Sequence, residues 1–189
     1  SKSPLIEKGG VTLKPSAFAK TYMKNVFKRG FNIEKVLDVN GKGLEYMING
    51  TMMRIELPNT MKTGDQFSFD IQWWYNINNH VEEGGRSGYE YFADTDNKIY
   101  VMAQFYPRMA VYNDVEGWQN AQFFGRDEFA LPFGDFEVDI TVPADHILDG
   151  TGELVNRKEV FTKKMMEQYK KAQSSYNEPV VIVSQQEAL

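Results

Sequence analysis

The chain has 189 residues, 42% of them hydrophobic and 14% aromatic, with 26 acids against 21 bases for a net charge of −5. That content can bury a core in one large or two small domains, and the acidic balance argues against nucleic acid as a partner. The chain holds no cysteine, which excludes disulfides, thiolate nucleophiles and Cys-ligated zinc, and no apolar run reaches the about 18–20 residues of a membrane span.

Residues 1–30 read as an N-terminal extension, partly helical. "SAFAKTYMKNVFKRG" spaces Phe18, Tyr22 and Val26 four apart, with Ser16 as the expected N-cap and Gly30 past the end. From Phe31 the period changes to two. "LEYMINGTMMRIEL" carries Asn49-Gly50 between two alternating runs, a short hairpin signal in which both turn residues accept positive φ. In "QFSFDIQWWYNI", Phe67, Phe69, Ile71, Trp73, Tyr75 and Ile77 alternate with polar residues and Trp74, which predicts a long strand with one buried face.

"NNHVEEGGRSGYEYFADTDN" reads as a long polar loop. "KIYVMAQFY" follows as a strand, with Ile99, Val101, Ala103 and Phe105 on one face and Tyr100, Met102, Gln104 and Tyr106 on the other. Asp114, just before "VEGW", and Glu116 within it read as turn caps. "FEVDITVP" predicts another strand with Phe136, Val138, Ile140 and Val142 inward, ended by Pro143. Several strands separated by turn signals point to a mainly β fold, as a sandwich or a curved open sheet. After Glu153 the period returns to helical. "KEVFTKKMMEQYKKAQ" sets Phe161, Met165, Met166 and Tyr169 along one face of an amphipathic helix. "VVIV" follows as a short buried strand, and Ser184 with Glu187 forms a capping box at the end of the sequence.

Chemistry is harder to find. The two histidines, His80 and His146, stand far apart, and no H-E-x-x-H occurs, so the helical two-His zinc site is absent. There is no G-x-S-x-G elbow; "GGRSG" reads as a Gly-rich loop. Glu56, Asp70, Glu137 and Asp139 lie on the polar phase of predicted strands, where a solvated face is the expected role. No nucleophile, metal set or acid–base pair stands in register, as an enzyme site requires.

The stretch "AQFYPRMAVYNDVEGWQNAQFFGRDEFALPFGDFEVDITVPADHILDGTGEL" closely resembles the N-terminal β-domain of M1-family zinc aminopeptidases (gluzincins), in the branch of bacterial metallopeptidases. The resemblance covers about residues 31–160 and is strongest over 99–155. It implies an antiparallel, saddle-like β-sandwich over 31–155, with the helix and linker of 156–189 leading to a catalytic domain that this sequence lacks. That domain would carry H-E-x-x-H, a distal Glu ligand and the zinc, so no cofactor is expected in this chain itself. The expected partners are the chain's own C-terminal catalytic domain and a peptide substrate, in an exported or periplasmic setting. Relatives carry a strand end of the form Thr/Ser/Ala-Gln-x-Glu-Pro/Ala, whose Gln lines the pocket for the substrate's first side chain and whose Glu holds the free α-amine. Here the motif reads Ala103-Gln104-Phe105-Tyr106-Pro107. Gln104 matches. Tyr106 replaces the Glu and supplies no formal charge at neutral pH. A second reading, independent of the resemblance, is a free-standing β-sandwich binding module for carbohydrate or protein, motivated by Trp73-Trp74-Tyr75 and Trp118.

Overall fold

A computed structural model describes residues 14–19, 30–122 and 130–188. The chain divides into two compact units, 1–134 and 135–189. The structure is mostly β, in short antiparallel strands with few and mainly brief helices. No helix among the described residues is long and apolar enough to cross a membrane.

In the first unit, helix α1 (Pro15–Phe18) begins two residues earlier than the sequence suggests. Pro15 occupies its first turn and Lys14 the N-cap position, with no side-chain cap. Proline fits there because its φ is already helical and its missing N–H is not needed; Ser16 therefore lies inside the helix. The rest of the expected helix lies outside the described residues.

Strands β1 (Asn32–Asp38) and β4 (Phe69–Trp74) form the principal ribbon. The period-two reading of the second strand holds. Phe67, Phe69, Ile71, Trp73, Tyr75 and Ile77 are half-buried, and Gln66, Ser68, Asp70, Gln72, Trp74 and Asn76 are exposed. The hydrogen-bonded strand is shorter than the alternation. A bulge between Ile33 and Lys35 adds one residue to β1. It brings Ile33 and Val36, three apart in sequence, onto the same face, opposite Trp73 and Ile71. Val36 is thereby the one buried apolar side chain among the described residues, 3% exposed. Phe31 extends this face by edge contacts with Trp73 and Tyr75, at centroid distances of 6.4 and 5.6 Å.

The turn after β1 is built on Asp38, whose Oδ1 accepts from the amides of Asn40 and Lys42, each at 2.9 Å. The Lys42 amide above all, and then Asn40, hold this carboxyl below its ordinary value.

Strands β2 (Tyr46–Asn49) and β3 (Met52–Ile55) form the expected hairpin, but one residue out of the expected register. Asn49 pairs with Met52, so the turn residues are Gly50-Thr51 rather than Asn49-Gly50. Gly50 has φ 58°. Positive φ at the first turn position alone is the pattern of a II′ turn, which asks for Gly there and leaves Asn in the strand. Gln122 fastens this tip. Its Oε1 accepts from the Thr51 amide and hydroxyl at 2.7 and 2.9 Å, and its Nε2 donates to the Asn49 carbonyl at 2.6 Å.

The segment expected to be a polar loop contains two elements. Asn79 caps the helical turn α2 (His80–Glu83) by accepting from the Val81 amide at 3.0 Å. Strand β5 (Gly88–Phe92) then pairs with β6 (Asn97–Val101). "GYEYF" is aromatic enough for a strand, but its glycine-rich approach masks the signal. Lys98 lies over the rings of Tyr89 and Tyr91 at 5.8 and 5.9 Å. The last ribbon joins β7 (Tyr112–Asn113) and β8 (Gly117–Trp118). Asn113, not Asp114 or Glu116, caps its turn, accepting from the Val115 and Glu116 amides at 3.1 and 2.7 Å.

In the second unit, two expected strands do not form. Among the described residues, 136–142 form no β-ladder, and Phe136, Val138, Ile140 and Val142 are 38–60% exposed. "VVIV" likewise forms no ladder with the described residues. Both runs carry the apolar pattern of a strand, but a strand exists only where its backbone groups find a neighbour. The amphipathic helix does form, in two pieces, α3 (Arg157–Val160) and α4 (Lys163–Ser174). Phe161 is extended between them, and Thr162 starts the second piece by accepting from the Met165 amide at 3.2 Å. Phe161 meets Tyr169 edge-on at 6.0 Å, and Arg157 stacks over Tyr169 at 4.7 Å.

Half of the predicted capping box is present at α5 (Gln185–Ala188): the Glu187 carboxylate reaches back to the Ser184 amide, while the Glu187 amide donates to the Ser184 carbonyl rather than to its hydroxyl. Glu187 Oε2 accepts from the Ser184 hydroxyl and amide at 2.7 and 3.0 Å, while Lys164 Nζ lies 2.5 Å from Glu187 Oε1. These partners, Lys164 foremost, hold the Glu187 carboxyl down to about 2 from its ordinary 4.5. A depressed carboxyl stabilises the fold above its unfolded value and loses that contribution as pH falls through its folded one. The α4–α5 link is therefore expected to be complete above pH 4.5 and to loosen toward pH 2. Side-chain carboxyl chemical shifts followed by NMR during acid titration check this. Glu187 should titrate as the lowest of the second unit's glutamates, and Lys164→Met should move it upward.

Candidate functional site

The β5–β6 ribbon ends at Val101, short of the residues that the sequence places on the strand. Beyond it the chain is held by a side chain. Ser87 Oγ donates to the Ala103 carbonyl at 3.1 Å and accepts from the Ala103 amide at 2.9 Å. One hydroxyl thus takes the place of the backbone pair that would have continued the ladder. Released from strand geometry, Gln104 adopts φ 54°, in the left-handed region that non-glycine residues seldom occupy. The face alternation expected for 98–106 therefore stops at Val101, and Gln104 is exposed rather than set among apolar strand neighbours.

Gln104 lines a shallow, open hollow of about 200 Å³, with Phe31, Tyr75, Ser87, Ala103 and Phe105 among its walls. Burial pushes the Tyr75 hydroxyl above its ordinary value. The lining contains no carboxylate, histidine or lysine. Its polar groups are hydroxyls, one primary amide and main-chain atoms, which together can donate to and accept from a peptide backbone. Tyr106 does not line the hollow. It is half-buried, with Phe105 edge-on at 5.2 Å and Arg108 over its ring at 5.4 Å. The structure thus separates the two residues that the sequence motif grouped. It adds Ser87, which the sequence presents only as part of a Gly-rich loop. No sequence signal marks Ser87, because its partner lies 16 positions away.

Neither histidine is among the residues that line this hollow. His80 opens α2, and His146 Nδ1 lies 2.8 Å from Asp145 Oδ1. Among the described residues no group of three or more His, Asp or Glu side chains is arranged to hold a metal ion.

Removing the Ser87 hydroxyl should free the Ala103 amide. Two exposed-side hydrogen bonds are worth about 1–2 kcal/mol net, so Ser87→Ala is expected to speed amide exchange at Ala103 by about tenfold. Ser87→Thr, which keeps the hydroxyl, should restore it. Residue-resolved hydrogen exchange reads both.

Fold and hollow together define a class: a mostly β module with an amide- and hydroxyl-lined depression. No known protein family, characterised protein or solved structure matches the chain.

Proposed function

We propose that the chain is the N-terminal accessory domain of a zinc-dependent, aminopeptidase-like metallopeptidase, in which it packs on the catalytic domain and lines the substrate cleft. In this reading the ribbons belong to a saddle-like β-sandwich, and the zinc belongs to the catalytic domain. The observation that carries the proposal is the presentation of Gln104, left-handed and exposed in the lining of a hollow whose other polar groups are hydroxyls and main-chain atoms. Such a wall can orient a peptide and leaves the chemistry to a neighbour. The sequence resemblance around Ala103–Pro107 supports the same role. So does the amount of apolar surface left in water, including Ile99, Val101, Phe136 and Val138, each more than half exposed. Faces of that kind mark a surface that another domain covers. Tyr106 contributes no charge for a free amine, so amine recognition would fall to the catalytic domain.

The test has two arms. The isolated chain should neither hydrolyse amino-acid anilides nor take up zinc stoichiometrically; either activity sinks the proposal. In the polypeptide that includes the catalytic domain, Gln104→Ala should raise KM for short peptides more than it lowers kcat, because it removes binding and not chemistry.

A second reading, a free-standing carbohydrate-binding module, is favoured by the exposure of Trp74, Tyr112 and Trp118 at 47, 62 and 55%. Titration with oligosaccharides, followed by tryptophan fluorescence, separates the two readings.

A further inference from the structure

The sequence contains two Asn-Gly steps, Asn40-Gly41 and Asn49-Gly50, both on the surface. Chemically they are the same. In each, the glycine nitrogen can attack the asparagine side-chain carbonyl, because glycine offers no side chain to obstruct the approach. The structure makes them unequal.

At Asn40 the nucleophile is held. The Gly41 N–H donates to the Asp38 carbonyl at 2.9 Å, and the Asn40 amide and side chain are both tied to the Asp38 carboxylate. Attack would require breaking that turn. At Asn49 the Gly50 N–H has no partner among the described residues. Gly50 becomes a nucleophile by losing its proton, and the resulting amidate spreads its charge onto the Asn49 carbonyl oxygen. Gln122 Nε2 donates to that oxygen at 2.6 Å. A donor already aimed at the atom where charge develops favours the charged form.

We infer that Asn49 is a site of selective spontaneous deamidation, and that Gln122 promotes it. The Gly50 nitrogen gives its proton to water and forms a bond to Asn49 Cγ. The Cγ–Nδ2 bond breaks, and ammonia leaves. Water then opens the five-membered imide at either carbonyl, giving aspartate or isoaspartate. One water is consumed, one ammonia is released, and no electrons are transferred. The isoaspartate product adds a methylene to the main chain at the hairpin tip. It displaces the Asn49 carbonyl from Gln122 and so loosens the clamp that joins this tip to the chain near residue 122.

The test follows both sites in one sample. The intact chain is incubated at mildly alkaline pH, and each Asn-Gly peptide is quantified by mass spectrometry with separation of the aspartate and isoaspartate forms. In the folded chain Asn49 should be lost at least about fivefold faster than Asn40, the factor that one net hydrogen bond represents. In urea, where both turns are gone, the rates should converge. Equal rates in the folded chain, or Asn40 ahead, overturn the inference. Gln122→Glu keeps an acceptor for Thr51 but places no donor on the Asn49 carbonyl, and should slow the loss of Asn49 by about fivefold. The Asn40 rate in the same variant, unchanged from the parent, confirms that the fold persists. A Gln122→Glu chain that loses Asn49 as fast as the parent overturns the role of Gln122.

Discussion

Replacing Gly88 by alanine should destabilise the first unit by about 3 kcal/mol, the sum of backbone strain and overpacking. Gly88 has φ 148°, and a β-carbon there would lie 2.6 Å from the Asn78 carbonyl oxygen and 3.2 Å from His80 Cβ. The obstruction is main chain. It cannot swing away, because the Tyr89 amide donates to that same Asn78 carbonyl at 2.8 Å. Relief would have to separate β5 from the segment before α2. Ser87 is the preceding residue, so the shift would carry its hydroxyl away from Ala103. The expected result is a lowered urea midpoint together with faster amide exchange at Ala103. Gly50→Ala is the instructive contrast. Its β-carbon would meet Gln122 Oε1, the tip of a side chain that can turn aside by giving up its exposed bonds to Thr51 and Asn49, so its loss should stay below that of a main-chain clash. Equal losses at the two glycines would show that the Asn78 contact is not the determining one.

Val36→Ala should cost about 2 kcal/mol, the range for truncating a buried aliphatic side chain. Val36 is 3% exposed, while its cross-strand neighbour Ile71 is half-buried. The same truncation at Val115, 87% exposed, should change stability by less than about 0.5 kcal/mol. Equilibrium urea unfolding, with intrinsic tryptophan fluorescence as the probe, measures both. Trp73 lies on the Val36 face, opposite Ile33, and its emission should move to the red in Val36→Ala before global unfolding. If Val36→Ala proved as mild as Val115→Ala, the β1–β4 face would not be the anchor of the first unit.

The candidate site divides along similar lines. Gln104 was legible in the sequence through the motif around it, and the structure places it at the rim of the hollow. Its backbone state was not legible. "KIYVMAQFY" alternates without a break, and only the Ser87 hydroxyl, bonded to Ala103 from another strand's approach, explains why the ladder ends and φ turns positive. Tyr106 was grouped with Gln104 by the resemblance to the family motif; it packs on Phe105 and Arg108 and is not among the residues lining the hollow.

By itself, the sequence determined whatever closes over a few residues: the alternating faces of 66–77, the existence of the Gly50 hairpin, the amphipathic face around Tyr169 and the Ser184–Glu187 box. Helical spacing and capping bonds connect positions three or four apart, so their partners can be read directly. Tertiary structure decided the rest: the bulge that brings Val36 inward, the one-residue register of the hairpin, the use of Ser87 as a surrogate ladder, and which apolar runs become strands at all. "FEVDITV" alternates as β4 does and "VVIV" is wholly apolar, yet neither joins a ladder among the described residues. The reason is that a strand's hydrogen bonds belong to its neighbour, and nothing within the strand specifies whether that neighbour arrives.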